Sequence, residues 1–153
     1  MATQGTRKGS AKSESWWEPS FGDLLVLVGA IVLLVSLFLN WWTGPADQVL
    51  VSAWTALEVA DLILAAIAVI AILLVLPAPP GKADFNKSGA AWLPWLGPIS
   101  LVVIAAALIN DPPAVNGLSL AVGAWIGLGG AIAMTVGGIL RRVGLSVSIS
   151  RRS

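Results

Sequence analysis

The chain has 153 residues, of which 57% are hydrophobic and 11% charged, with a net charge of +1 and a mean hydropathy of +0.87. A soluble domain carries about a quarter charged residues, so this chain lacks the ionic groups needed to solvate a surface. Cysteine, histidine and tyrosine are absent, which excludes disulfides, thiol nucleophiles, imidazole bases and the usual zinc and haem ligands.

Residues 1–20 are polar and small, with Arg7, Lys8 and Lys12 and no apolar period. They read as a disordered tail. A helix crosses the roughly 30 Å hydrocarbon layer with about 20 apolar residues, and four such stretches follow. The first is expected over 21–40. A signal peptide is the competing reading, set aside because the apolar run is long and Asn40-Trp41-Trp42 offers no small-residue cleavage site.

The second span is expected over 55–76, stopped by Pro77, Pro79 and Pro80. The third covers 90–109, with Pro94 and Pro98 in its first turns. The fourth covers 118–140 and ends on Arg141 and Arg142. Short connections make consecutive helices antiparallel. The fold class expected is all-α: a four-helix transmembrane bundle, up-down-up-down, with a short tail at 143–153.

Orientation follows from the basic residues. All nine Lys and Arg lie in the N-terminal tail, in the 77–88 loop or after residue 140, and none in 41–54 or 110–117. The positive-inside rule places that side, and both termini, in the cytoplasm. The expected location is a bacterial cytoplasmic membrane, with the lipid bilayer as the first partner. Trp16, Trp17, Trp92 and Trp95 fall at inner span ends, and Trp41, Trp42 and Trp54 at outer ones. They read as interface anchors, because an indole is amphipathic.

Two constellations carry candidate chemistry. Glu58 and Asp61 lie three residues apart at the outer end of the second span, on one helix face, about 6 and 10 Å deeper than Trp54. Carboxylates at that depth face a bundle interior, a cavity or a proton path, so they form an ion or proton site candidate. The plainer reading is a helix start: Thr55 to Glu58 has capping-box spacing, and acids suit a first turn. That accounts for Glu58 better than for Asp61.

The second is a small-residue stripe in the fourth span: Gly123 and Gly127, continued by Gly129, Ala133 and Gly137. Such residues let helices approach closely in lipid. They pack either within the chain, which has three other helices to offer, or against a second copy or another membrane protein. Arg141, Arg142, Arg151 and Arg152 could hold anionic lipid, but are taken as topology anchors. No catalytic residue, metal site, cofactor or nucleic-acid surface is expected, since no nucleophile, base and ligand set converges.

Trp41-Trp42, Ser-Ala-Trp at 52–54, Asp61 and Gly-Ala-Trp at 123–125 resemble a family of uncharacterised actinobacterial four-span membrane proteins, over roughly 24–142. The resemblance implies topology and brings no activity. A tryptophan-bearing first loop also resembles that of claudins, but their paired loop cysteines are missing and that comparison is discarded. A weak echo between 38–54 and 108–125 is not taken as a duplication. The function expected is a non-catalytic membrane component, an accessory or scaffold subunit. The alternative is a small proton- or cation-coupled transporter or channel using Asp61 and Glu58; an enzyme ranks last.

Overall fold

The computed structural model describes residues 19–45, 49–57, 59–77, 88–110 and 117–143. The chain is predominantly helical. α1 (Phe21–Ser36) starts on a capping box: the Ser20 hydroxyl accepts from the Asp23 N–H at 3.1 Å, and Asp23 accepts in return from the Ser20 N–H at 3.1 Å. α2 (Ala53–Ala56) is a single turn. α3 (Val59–Val75), α4 (Leu93–Ile109) and α5 (Val122–Val143) complete the long helices.

The segments that connect the long helices hold structure that an all-α expectation omits. β1 (Asn40–Thr43), β2 (Leu50–Ser52) and β3 (Ser119–Leu120) form one sheet in the order β2-β1-β3, both pairings antiparallel. The residues are Trp, Thr, Val and Leu, types that suit a pleated, half-buried surface. The ladder also gives partners to linker backbone that would otherwise lie unpaired against apolar helices. Beyond it, Ala121 donates its N–H to the Trp41 carbonyl at 2.7 Å, tying the start of α5 to the exit from α1.

These strands correct the helix boundaries. α1 stops at Ser36, four residues before the expected end, through tight turns in which Phe38 and Leu39 donate to Val35 and Ser36. Thr55 lies inside α2 and caps nothing; its hydroxyl pairs with Ser52 at 3.2 Å. α5 starts after β3 and runs past Arg141 and Arg142 to Val143.

The long helices close a ring: α1 packs most extensively on α5, and α5 on α4, while α3 joins α1 to α4. α1 and α5 are antiparallel and meet through heptad-spaced glycines, Gly22 against Gly137 and Gly29 against Gly130. A β-carbon on Gly130 would stand 2.8 Å from the Gly29 carbonyl oxygen and from the Leu33 nitrogen. Both obstacles are backbone, so nothing could yield cheaply. The buried core gathers on this seam, with Val26, Ala30, Leu33, Ala131 and Met134 fully covered.

Gly129 does not share the seam. It is exposed, and a β-carbon there would meet nothing within 4 Å. Helix geometry explains the correction. Seven residues fall roughly 20° short of two turns, so 130 and 137 share a face. Eight residues overshoot by about 80°, which turns 129 away. The packing row is Gly123, Gly127, Gly130 and Gly137, all buried, with Ala133 half-buried at its margin.

Gly130→Ala should therefore destabilise by about 1–3 kcal/mol through overpacking, while Gly129→Ala should stabilise by about 0.5–1 kcal/mol through helix propensity. Thermal unfolding followed by circular dichroism would separate the two signs.

Candidate functional site

Asp61 is the third residue of α3 and only 1% exposed, although it is a carboxylate. Its Oδ1 accepts the N–H of Leu62 at 2.7 Å. The side chain thus folds onto the start of its own helix, where free N–H groups and the dipole favour negative charge. Glu58, its expected partner, lies outside the described residues, as do Trp16 and Trp17. Among the described residues no cluster of acids could hold a metal ion.

The hydroxyls inside the long helices, buried at Ser36 and Ser100 and half-buried at Thr135, also bond locally. Ser36 donates to the Leu33 carbonyl at 2.6 Å, Ser100 to Leu96 at 2.9 Å and Thr135 to Ala131 at 2.8 Å. Each hydroxyl is satisfied by its own helix, one turn back. None of these bonds links one helix to the next, so together they make no relay and no nucleophile–base pair.

The tryptophans divide into two groups. Trp54, Trp92 and Trp95 are exposed, by 36%, 66% and 53%, as rings reaching outward from the helices must be. Trp41 and Trp42 are fully buried, which corrects their reading as interface anchors. Consecutive strand residues ordinarily point to opposite faces. Here the register slips between Asn40 and Trp42, and the resulting bulge at Trp41 allows both indoles to turn inward. Their rings lie 5.9 Å apart.

Gly123 and Gly127 are the seat of Trp41. A β-carbon on either would reach the indole, at 2.8 Å from Cδ1 and 2.9 Å from Cζ2 respectively. The Trp41 Nε1 donates at 2.8 Å to the Ser36 carbonyl, which also accepts the Leu39 N–H at 3.0 Å, so the indole adds a second bond at the helix end. The Gly-xxx-Gly pair therefore serves packing within the chain. Trp42 Nε1 is buried without a hydrogen-bond partner among the described residues.

One pairing was not foreseen from the sequence. Arg141, near the end of α5, places Nη1 2.8 Å from Asp23 Oδ1 at the start of α1. Both ends gain, since an acid suits a helix start and a cation a helix end. Ser20-Phe-Gly-Asp23 has the spacing of a capping motif, a signal that was available; the partner was not, because it requires knowing that α1 lies on α5. Arg142, one residue on, is exposed and has no carboxylate partner among the described residues.

No known family model matches the chain, and neither a curated protein nor a solved structure matches it. α5 is a 22-residue helix long and apolar enough to cross a membrane, while α1, α3 and α4 are apolar helices of 16 or 17 residues.

A double-mutant cycle of Asp23→Asn and Arg141→Gln should show a coupling of about 0.5–1 kcal/mol that shrinks with added salt, as befits a partly exposed pair. Unfolding midpoints at low and high ionic strength would measure it.

Proposed function

We propose that this is a multi-pass integral membrane protein, its four long helices crossing the bilayer up-down-up-down with both ends cytoplasmic. It acts there as a non-catalytic component, an accessory or scaffold subunit of a bacterial cytoplasmic membrane. Kinship with the actinobacterial four-span family belongs to this proposal and rests on the tryptophan, Asp61 and Gly-Ala-Trp positions.

The carrying observation is that the helices are apolar outside as well as inside. Val28 and Val35 on α1, Leu73 on α3, Val102 on α4 and Ile132 and Ile139 on α5 are all 42% exposed or more. A helix that is hydrophobic all round belongs inside a large core or in lipid, and the core of the described residues lies within the bundle itself. α5 rises about 33 Å, and the three shorter helices about 24–26 Å. α1 is prolonged at its outer end by the turns through Leu39, and α3 by α2. The locally satisfied hydroxyls favour a packing role over a chemical one.

The protein should stay in the membrane pellet through alkaline extraction. An alkaline phosphatase reporter should be active when fused after residue 46 and silent when fused after residue 153. A freely soluble chain, or an exported C-terminal reporter, would overturn the proposal.

A second reading, a small proton- or cation-coupled transporter or channel, is favoured by the burial of Asp61 on a half of the chain without Lys or Arg. The scaffold reading expects proteoliposomes of wild type and Asp61→Asn to pass protons and cations at the same background rate. A wild-type flux abolished by Asp61→Asn would establish the transporter instead.

A further inference from the structure

Two adjoining hollows lie where the start of α4 meets the end of α5. The first, about 330 Å³, is lined by Ala90, Ala91, Pro94, Trp95, Arg141 and Arg142. The second, about 210 Å³, shares Pro94, Trp95 and Arg142 and adds Pro98, Ile139 and Val143. The pair therefore runs from a cationic end to an apolar one. We propose that this groove binds an anionic phospholipid, with the headgroup phosphate on Arg142 and an acyl chain laid along Pro98 and Ile139. The inference rests on the membrane reading above.

Charge complementarity selects the occupant. Arg141 is neutralised by Asp23, but Arg142 faces the groove with no carboxylate partner among the described residues. An exposed guanidinium presents a fork of donors that matches phosphate oxygens. It stands on the side to which the sequence sorts all nine cations, the side on which anionic lipid concentrates.

Below the cation the lining changes to Pro98 and Ile139, and Val143 stands beside it at the helix end; none of the three offers a polar side chain. That sequence of surfaces, charge then hydrocarbon, matches a phospholipid and not a free phosphate. Trp95 sits at the boundary, 53% exposed, where an indole is at home between headgroup and chain. Pro94 and Pro98 shape the groove: neither projects a long side chain, and Pro98 has no N–H to offer the Pro94 carbonyl one turn earlier.

The test uses the full chain in non-ionic detergent micelles, with phosphatidylglycerol and phosphatidylcholine of the same chain length as probes and native mass spectrometry as readout. Phosphatidylglycerol should be retained in preference to phosphatidylcholine. Arg142→Gln should lower its affinity about fivefold, the contribution of one cation near an anionic headgroup, and lower retention of phosphatidylcholine by less, since the choline cation offsets its phosphate. Arg142→Lys should recover most of the loss, which separates charge from misfolding. Ile139→Trp, which fills the apolar end and keeps the charge, should also weaken retention.

Equal retention of the two lipids would overturn the site. So would a loss from Lys12→Gln as large as that from Arg142→Gln, or displacement of the lipid by inorganic phosphate. The membrane reading fails on a different observation, a wild-type chain that stays dispersed once detergent is removed.

Discussion

The contact on which the rest of this structure depends is the backbone-to-backbone approach of α1 and α5. Between two helices in lipid, or two uniformly apolar helices anywhere, burial of hydrocarbon gives little preference for one partner over another. Close packing does, because dispersion falls steeply with separation. Gly22 and Gly29 on one helix, and Gly130 and Gly137 on the other, remove the β-carbons that would hold the backbones apart. The Asp23–Arg141 pair then fixes the register at one end of the seam. The first and last long helices thus become the most extensive pair in the protein, and the ring is closed from its two ends.

At the other end of the seam the same glycine row takes on a different task. Gly123 and Gly127 continue the face of Gly130 and Gly137, but what lies on them is the Trp41 indole instead of α1 backbone. α1 has already stopped at Ser36, whose carbonyl receives the indole N–H beside that of Leu39. The β-bulge makes this geometry available: without the extra residue, one of Trp41 and Trp42 would face away from the helices. The small sheet is therefore a lid whose inner surface is two tryptophans, pinned to α5 by β3 and by the Ala121 to Trp41 hydrogen bond.

Much of the helical content was legible because it depends on composition: long apolar stretches between proline, glycine and charge can hardly do otherwise. What was not legible depends on contacts between distant parts of the chain. Trp41 and Trp42 look like interface tryptophans because such residues usually are; only the register slip against β2 turns both inward. Gly129 looks equal to Gly130 in sequence, and a one-residue rotation separates an exposed position from a seam. The strands are two to four residues long, too short for an alternating pattern to declare itself. Asp61 was found as an unusual residue, and its burial is the reason it stands out. Its bond to Leu62 shows a helix-start role that its sequence position had already offered as the plain alternative.

Arg141 and Arg142 carry this reasoning one step further. As sequence they are a doublet, and charge counting treats them alike. On α5 they are about 100° apart, and although both border the first hollow, only Arg141 is paired with a carboxylate among the described residues. The face that carries Gly137 delivers Arg141 to Asp23 on α1, and the next residue is turned toward α4 and its prolines. One cation completes the fold and the other is left over, beside an apolar groove. A structural anchor has no need of that groove, and a charge present only for topology has no need of a particular face. The coincidence of an unpaired guanidinium with a hydrocarbon-lined hollow is what a bound lipid would account for and a topological signal would not.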